Sequence, residues 1–518
     1  MSATADHAAW RPLGNPWVIA LVATLAPFME ILDSTIVNVS LPHIAGSMSV
    51  SSDDATWTLT SYLVANGIVL PISGWLSDFF GRKRFFLTCI AMFTLCSFLC
   101  GIAGSLWQLI LFRLLQGFFG GGLQPSQQSI VLDTFEPSQR SKAFAMTAIA
   151  TVAAPVLGPT LGGFITDNFS WRWVFFINVP IGIIAFMLCT IYVEDPPWAH
   201  ARRRVMDYIG LSLIVLGFGF MQVTLDRGED LDWIHSNFIL MSGSLALIGL
   251  VGAVLWLLYT DHPIVNLRLL KNRNFGVGCG MMGLMALMMY ASSVMIPQMA
   301  QLVLGYNATW AGLVLSPGAV AMIMFIPFVG KLMGMVQVRY LVAFGFVMLS
   351  TSMFAAHGWP PNVDFKTLVE VRVVQTVGLA FLFVPISTLA YLTLPREQSP
   401  DAAAIYTMFR NVAGSIGISI VTALVSNQQQ AHMSHMVQHL TQLDPGYMAE
   451  LSRIVAGLAR VGQPASAAAG YFYRQLQIQS VMMGYNDVYL WCSVAAMAVV
   501  PLCWLFSPGK SQGGRIEH

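Results

Sequence analysis

Two acidic side chains and one arginine lie inside long apolar stretches of the sequence. Glu30 and Asp33 fall within the run that begins near Trp17, and Arg113 falls within the run that begins near Leu106. Ionisable groups in such surroundings are rare, and they are functional by default. A carboxyl group there can exchange between a neutral and a charged form, because burial disfavours the charge. These residue types therefore point to chemistry in which a proton is taken up and released.

The composition indicates the solvent that surrounds these stretches. The chain has 518 residues, of which 56% are hydrophobic and only 10% are charged, whereas a soluble domain carries about 25% charged residues. The surplus apolar surface must face lipid. A net charge of +1 argues against binding to nucleic acid, which needs a concentrated basic face. The seven cysteines lie within apolar runs without metal-ligand spacing, so we predict apolar filler and no metal site.

A helix needs about 20 apolar residues to cross the hydrocarbon core of a bilayer. Fourteen runs of that length occur, in groups of six, two and six. They begin near Trp17, Thr56, Phe85, Leu106, Ser141 and Trp171, then near Asp207 and Ser236, and then near Phe275, Thr309, Tyr340, Thr367, Ala402 and Asp487. We predict an all-α polytopic membrane protein with fourteen transmembrane helices, arranged as two six-helix bundles with two inserted spans.

The basic residues predict one orientation, because Lys and Arg gather in cytoplasmic loops. With the N-terminus inside, an even number of spans places nearly all basic clusters in the cytoplasm. These clusters contain Arg82, Lys83, Arg84, Arg140, Lys142, Arg202, Arg203, Arg204, Arg268, Lys271, Arg273, Lys331, Arg339, Arg396, Lys510 and Arg515. The short outer loops hold only Arg172, Arg227 and Lys366. Both termini are therefore expected in the cytoplasm.

One polar segment, predicted over 427–482, lies outside the membrane between the last two spans. Its residues 448–460 have helical apolar spacing, so a partly helical loop or hairpin is expected. Long ordered loops are usually functional. Two interpretations remain open, a docking surface for a periplasmic partner and a cap over the cavity.

An internal repeat relates the two six-span groups. Arg113-x-x-Gln116 recurs as Arg372-x-x-Gln375, and Gly158 is matched by Gly417 at the same offset. Transporters are commonly built from such repeats around a central site. The predicted divisions are an N-terminal bundle over 1–195, two inserted spans with their linkers over 196–272, a C-terminal bundle with the outer loop over 273–508, and a cytoplasmic tail over 509–518.

Several motifs resemble those of the major facilitator superfamily. Gly74-Trp75-Leu76-Ser77-Asp78-Phe79-Phe80-Gly81-Arg82-Lys83 resembles its signature loop between spans two and three, and Arg113-x-x-Gln116-Gly117 resembles its span-four motif. Ala154-Pro155-x-x-Gly158-Pro159-x-x-Gly162-Gly163 resembles the span-five motif of its proton antiporters. The stretches that start at Leu32 and Trp171 resemble motifs of its fourteen-span drug:proton antiporter branch. The resemblance is closest to the EmrB-type multidrug exporters of bacterial inner membranes and covers essentially the whole chain.

The resemblance implies export of small lipophilic drugs in exchange for external protons by alternating access, without a cofactor. It also implies a place in a tripartite efflux pump, with a periplasmic adaptor and an outer-membrane channel as partners. Two alternatives remain, namely export of a specific metabolite or siderophore, and proton-coupled uptake. An enzyme is not expected, because no catalytic metal cluster, nucleophile elbow or phosphate loop is present.

Asp33 is the predicted proton-coupling acid. It lies roughly 12 Å from the outer end of span one at 1.5 Å per residue, and Arg113 lies at a similar depth in span four. We expect the two to face one cavity and to pair transiently, although a purely structural role for Asp33 remains the alternative. Glu30 is three residues earlier on nearly the same face. It is either a second proton site or a contact for a cationic drug.

The other candidates fall into three groups. Gly74, Asp78, Gly81, Arg82 and Lys83 are expected to act in gating, with Asp78 meeting helix N-termini or arginines of the other half. Pro155, Gly158, Pro159, Gly162 and Gly163 are expected to give a bent, closely packed helix that seals the bundle against proton leak, or that serves packing alone. The candidates for the substrate cavity are Phe28, Met29, Asn38, Gln116, Met289, Tyr290, Tyr406 and Arg410. Arg410 is a candidate for holding an anionic substrate.

Overall fold

The fold was analysed on a computed structural model that describes residues 12–136, 139–196, 206–229, 231–395, 398–438, 445–460 and 467–506. The predicted tail over 509–518 and the basic run at 202–204 lie outside these ranges. The side chain of Pro159 also lies outside the described part of the molecule.

Helices account for nearly all of the described chain. The N-terminal half contains α1 (Pro16–Met48), α2 (Ser52–Phe80), α3 (Arg82–Gly101), α4 (Leu106–Gly120), α5 (Leu123–Thr134), α6 (Arg140–Asn168), α7 (Trp173–Phe176) and α8 (Asn178–Tyr192). The inserted segment contains α9 (Tyr208–Arg227) and α10 (Asn237–Tyr259). The C-terminal half contains α11 (Arg273–Leu302), α12 (Ala308–Leu332), α13 (Val338–His357), α14 (Phe365–Tyr391), α15 (Ser399–Gln438), α16 (Pro445–Arg460) and α17 (Ala467–Val499).

The predicted number of spans is confirmed. Within the described residues, 14 helical stretches are long and apolar enough to cross a membrane. Span four is formed by α4 and α5, and span six by α7 and α8. All seven cysteines are buried and free, which agrees with their predicted role as apolar filler.

The two halves meet through helices that the repeat relates. Helix α2 packs on α15, and α6 packs on α12. Span two corresponds to span ten in the repeat, and span five corresponds to span thirteen. The same pair of surfaces is therefore used twice, as a two-fold relation between the halves requires.

Helices α4 and α5 lie unusually close to α2, and this closeness positions the site described below. A Cβ atom at Gly117 would lie 2.2 Å from the carbonyl oxygen of Tyr62, and one at Gly121 would lie 2.7 Å from that of Asn66. Glycine lets membrane helices approach to backbone contact. Polar side chains on α4 and α5 consequently reach across α2 to α1.

The inserted helices α9 and α10 stand beside the bundle and contact both halves through α9. At the C-terminal end of α9, the Arg227 guanidinium donates to the Thr56 hydroxyl at 2.5 Å and lies 4.9 Å from the ring centroid of Trp57. On the other side, the Ser419 hydroxyl of α15 donates to the carbonyl oxygen of Leu225 at 2.7 Å. The inserted pair is thus attached to the two helices that flank the boundary between the halves.

The predicted outer loop is a helical hairpin built largely from the two neighbouring spans. Helix α15 continues to Gln438 and α17 begins at Ala467, well before the predicted start of the last span near Asp487. The reason is that polar residues end the apolar run but not the helix, because Gln, Ala and Met favour helix. The helical spacing over 448–460 is confirmed by α16, which contacts α17 through the rings of Tyr447 and Phe472, with centroids 5.2 Å apart.

Candidate functional site

Asp33 forms a hydrogen-bonded cluster with two polar side chains of α4 and one of α8. Its Oδ2 accepts from Nη1 of Arg113 at 2.5 Å, and its Oδ1 accepts from Gln116 at 3.1 Å and from Asn178 at 2.6 Å. Arg113 also donates to the side-chain oxygen of Gln116 at 2.9 Å. All four side chains are completely buried. We call these four residues the Asp33 cluster.

Neighbouring elements hold the Asp33 cluster in place. The Nε of Arg113 donates to the carbonyl oxygen of Thr58 at 3.2 Å, and its guanidinium carbon lies 4.1 Å from the ring centroid of Tyr62. Asn178, the first residue of α8, also donates to the Ser97 hydroxyl at 3.0 Å. Helices α1, α2, α3, α4 and α8 therefore all contribute to the Asp33 cluster or contact one of its residues.

The Asp33 cluster is suited to couple protonation to movement. A buried ion pair is stable only while both partners are charged and hydrogen-bonded. Arginine remains protonated in proteins, so uptake of a proton by Asp33 changes the net charge of the pair from zero to +1. The cluster then contains a buried cation without its counter-ion, and an arrangement that gives Arg113 other partners becomes favoured.

Glu30 forms a second cluster, which crosses between the halves. Its Oε1 accepts from the Tyr62 hydroxyl at 3.3 Å and from the Asn66 amide at 3.1 Å. Its Oε2 accepts from the Gln124 amide of α5, and the oxygen of that amide accepts in turn from the Arg410 guanidinium of α15. Glu30 is 5% exposed and Arg410 is 1% exposed. We call Glu30, Gln124 and Arg410 the bridge cluster.

The signature loop lies at the end of the bundle where the basic residues gather, here named the basic end. Gly81 has a φ of 88°, which lies in the region that favours glycine, so it turns the chain between α2 and α3. Buried Arg82 pairs with Asp133 of α5 and lies close enough to Asp78 to interact with it electrostatically. The Nζ of Lys83 donates to the carbonyl oxygen of Thr190 at 2.8 Å.

The halves are in close contact at this end. A Cβ atom at Gly74 would lie 2.9 Å from Oδ1 of Asp401 and 3.0 Å from the carbonyl oxygen of Pro400, both in the first turn of α15. Arg140 donates to the carbonyl oxygens of Leu132 and Tyr391, at 3.0 and 3.2 Å, and so joins α6 to α14. The basic end is therefore closed, and Gly74 lies against the N-terminal turn of α15. The contact predicted for Asp78 with the other half stays a prediction.

A larger side chain at Gly74 is expected to open the basic end. Overpacking costs about 1–3 kcal/mol, which shifts a two-state equilibrium by about 5- to 150-fold. In the Gly74→Val variant, we expect faster labelling of a cysteine introduced at Gln128, which is buried between the halves, and slower export. Gly74-x-Leu76 recurs in the second half as Gly330-x-Leu332, and Gly330 has nothing within 4 Å of a built Cβ atom. The Gly330→Val control should label and export like the parent, and equal effects of both substitutions would contradict the contact at Gly74.

The glycine-rich motif of span five packs against α1 next to Asp33. A Cβ atom at Gly158 would lie 2.0 Å from the Thr35 hydroxyl oxygen, and one at Gly162 would lie 3.0 Å from the carbonyl oxygen of Ile36. Gly163 is buried and Pro155 is partly exposed. The motif thus lets α6 reach the backbone of α1 within one turn of Asp33.

The remaining cavity candidates lie in different places. Gln116 belongs to the Asp33 cluster and Arg410 to the bridge cluster. Met29 is buried in the core of the N-terminal half and Phe28 is partly buried, whereas Asn38 is exposed. In the C-terminal half, Tyr290 contacts Gly414 near Arg410, Tyr406 hydrogen-bonds Ser387 at 2.9 Å, and Met289 is buried. The structure brings Tyr290 close to Arg410 and Glu30 of the bridge cluster.

Sequence reasoning missed three residues of this region. Gln124 joins Glu30 to Arg410, Gln128 accepts from Tyr391 and Thr407 of the other half at 3.0 and 3.3 Å, and Asn178 binds Asp33. A signal for the two glutamines was present, because 123–129 contains three Gln and two Ser inside a membrane-spanning stretch. Polar residues at that depth mark functional positions. Asn178 had a weaker signal, its place in the motif that begins at Trp171.

Comparisons with known proteins agree with this architecture. A family model described as Major Facilitator Superfamily matches residues 23–418. The chain is 35% identical to the multidrug export protein EmrB of Escherichia coli (strain K12) over 507 residues, which cover 97% of this chain and 98% of that protein. It is 34% identical to the fatty acid resistance protein FarB of Neisseria gonorrhoeae over 509 residues, which cover 98% and 99% of the two chains.

Solved structures with the same fold are more distant in sequence. The human organic anion transporter MFSD10 matches with a TM-score of 0.56 and 12% identity, over 93% of this chain and 100% of that one. A double tryptophan mutant of XylE matches with a TM-score of 0.57 and 14% identity, over 95% and 99%. At these identities the likeness concerns the fold alone.

Proposed function

The chain belongs to the major facilitator superfamily, within its EmrB-type branch, and on that premise we propose that it exports small lipophilic compounds from the cytoplasm in exchange for protons. It is a transporter and not an enzyme. The observation that carries proton exchange is the completely buried pair of Asp33 and Arg113, in contact at 2.5 Å. The relatives named for multidrug export and fatty acid resistance support a lipophilic cargo.

The proposed cycle uses the Asp33 cluster as the proton site and the basic end as the inner gate. With the basic end closed, Asp33 takes up a proton from the outside and the ion pair with Arg113 weakens. The contacts at Gly74 and Arg140 then break and the inner side opens. Cargo binds from the cytoplasm near the boundary between the halves, Asp33 releases its proton there, and restored pairing drives the return. The proton gradient is the only energy source in this scheme, and no cofactor takes part.

The basic loops support a bacterial inner-membrane location with both termini in the cytoplasm, because Lys and Arg are retained on that side. The hairpin of α15, α16 and α17 then projects into the periplasm. The hairpin extends beyond the apolar stretch, which supports a role as the docking site of a periplasmic adaptor. The adaptor would connect the transporter to an outer-membrane channel.

Export and uptake can be separated with inverted membrane vesicles that carry an imposed proton gradient, acidic inside. We expect addition of a lipophilic drug to dissipate the gradient and to accompany uptake of the drug into the vesicle. A specific metabolite exporter would respond to one compound class only, and an uptake symporter would fail to concentrate drug inside inverted vesicles. Either result would overturn the proposed function.

If the hairpin serves for docking, its removal should abolish adaptor binding and leave proton-coupled transport intact. In a variant that lacks 445–460, with the flanking helices joined by a short flexible linker, we expect co-purification with the adaptor from native membranes to be lost. Drug-dependent proton movement by the purified variant should persist, because α16 contributes no residue to the Asp33 cluster or to the contacts of the basic end described above. Retained co-purification would refute the docking role, whereas loss of both activities would indicate a cap or a folding defect.

A further inference from the structure

The C-terminal half contains a counterpart of the Asp33 cluster. Arg372 and Gln375 lie 259 positions after Arg113 and Gln116 (113 to 372 and 116 to 375). Arg372 donates to the side-chain oxygen of Gln375 at 2.6 Å, as Arg113 does to Gln116 at 2.9 Å. Each arginine is buried within the outer half of span twelve or span four. The repeat predicted from sequence is therefore also a repeat of side-chain geometry.

The correspondence extends to the partner on the first helix of each half. Arg113 contacts a residue 80 positions earlier, Asp33, and Arg372 contacts a residue 80 positions earlier, Ser292, at 3.1 Å. Both contacts use the Nη1 atom of the arginine. Ser292 is completely buried, as Asp33 is. The position that holds the exchangeable acid in the N-terminal half thus holds a hydroxyl in the C-terminal half.

The serine leaves Arg372 without a counter-ion. Its Nη2 donates to the Ser293 hydroxyl at 3.1 Å and its Nε has no partner among the described residues. Within the described chain, no carboxylate lies within 4.0 Å of this guanidinium, and Glu370 on the same helix pairs with exposed Lys366 at 3.7 Å. The titratable group that faces Arg372 from α17 is Tyr489. The C-terminal cluster therefore keeps a positive charge that protons do not change.

We propose that Ser292 determines how many protons the transporter exchanges per cycle. The C-terminal half has the arginine and the glutamine found around Asp33, with the same contact between them, and a hydroxyl at the position of the carboxyl group. Exchange through this type of cluster is consequently restricted to the N-terminal half. This inference rests on the proposed proton exchange. The transported proton enters from the outer side onto a carboxylate oxygen and leaves from it to the inner side, and no other bond forms or breaks.

The expected effect of Ser292→Asp is one additional proton per cargo molecule, whatever the ratio of the parent. At zero membrane potential, one more proton raises the limiting concentration ratio of a neutral cargo by about tenfold for each unit of pH difference. Ser292→Asn places a side chain with the shape of Asp but without a titratable group, so the proton-to-drug ratio should stay at the parental value.

The test uses the purified full-length chain in proteoliposomes, with a neutral fluorescent drug, a set pH difference and the potential clamped by potassium and valinomycin. The proton-to-drug ratio follows from the drug gradient at which net flux stops. A ratio that rises by one in Ser292→Asp and not in Ser292→Asn supports the proposal, and a folded Ser292→Asp protein with the parental ratio overturns it. If that variant does not fold, Ser293→Asp addresses the same guanidinium through Nη2, and the same two outcomes apply.

Variants that move the acid from position 33 to position 292 test the proposed role of Ser292 separately from the proposed function. Asp33→Ser alone should show no coupled flux, and persistent coupling in it would refute the role of Asp33 while the ratio in Ser292→Asp still judges Ser292. In the double variant Asp33→Ser/Ser292→Asp, we expect coupled flux to return, because the exchangeable pair has moved to the other half. A double variant that folds normally and still fails to couple, while Ser292→Asp alone raises the proton-to-drug ratio, would show that the two acids act in sequence. That result would overturn the equivalence of the two clusters.

Discussion

Replacing Asp33 with Asn is expected to abolish gradient-driven export. One proton that crosses a pH difference of about one unit and a potential of about 100 mV supplies about 3.7 kcal/mol. This energy sustains a concentration ratio of up to about 500-fold for a neutral cargo. Without the exchangeable proton, the limiting ratio falls to about one, because cargo can then only equilibrate. Drug-induced release of a proton gradient in inverted vesicles measures the effect directly.

The amide is chosen because it keeps the contact with Arg113, although its nitrogen replaces the oxygen that accepts from Gln116 and Asn178. Asn can accept from Arg113 through its oxygen and it has nearly the same volume. It nevertheless leaves the buried guanidinium without a counter-ion, and breaking a buried ion pair costs about 3–5 kcal/mol. The double variant Asp33→Asn/Arg113→Gln removes both charges and should restore stability without restoring coupling. Glu370→Gln, which removes an exposed membrane-helix acid, is the matched control and should export normally.

Two results would contradict this role of Asp33. Drug-dependent proton movement that persists in a folded Asp33→Asn protein would place the coupling acid elsewhere, with Glu30 as the remaining buried acid of α1. Restored coupling in the double variant would show that the loss in the single variant arises from the unpaired arginine rather than from the missing proton.

The sequence was sufficient to predict those features of the structure that depend on a single helix. Span lengths follow from apolar runs, and the side of each loop follows from its basic residues. The depths of Asp33 and Arg113 follow from counting residues along two helices that start on opposite sides. Because the bundle leaves few arrangements for neighbouring spans, equal depth was enough to predict the contact that the structure shows at 2.5 Å.

What could not be predicted depends on how helices rotate about their axes and how the halves meet. Glu30 was placed near Asp33 on one face, yet its partners, Gln124 and Arg410, come from α5 and from the opposite half. No spacing rule within α1 contains that information. The ends of the two helices that flank the hairpin were misplaced for a different reason. Hydropathy reports where lipid ends and helix propensity reports where the helix ends, and the two differ in α15 and α17.

Substitutions in the bridge cluster are expected to have the second large effect, a change in whether anionic or cationic cargo is preferred. Arg410 and Glu30 are linked through the Gln124 side chain, whose amide donates to Glu30 and whose oxygen accepts from Arg410. An anionic cargo can take the place of the Gln124 oxygen at Arg410, and a cationic cargo can take the place of its amide at Glu30. Hydrogen bonds to charged groups contribute about 1.5–3 kcal/mol, which corresponds to about a ten- to hundredfold change in apparent affinity.

Arg410→Gln is therefore expected to weaken export of lipophilic anions by about ten- to hundredfold and to leave lipophilic cations almost unaffected. Glu30→Gln is expected to do the reverse, if its role is cargo contact rather than proton exchange. The measurement is the apparent affinity for a matched pair of dyes, one anionic and one cationic, in proteoliposomes. Thr407→Val removes a neutral contact between the halves, one turn before Arg410 on α15, and should change both dyes alike.

The two possible roles of Glu30 give different outcomes in this experiment. A cargo contact changes the affinity for cations and leaves the proton-to-drug ratio of a neutral dye intact. A second proton site lowers that ratio by one and affects every cargo. Equal effects of Arg410→Gln on both dyes would show that Arg410 joins the halves without selecting cargo. The bridge cluster would then be a structural tie, and charge selection would have to come from residues that line the boundary elsewhere.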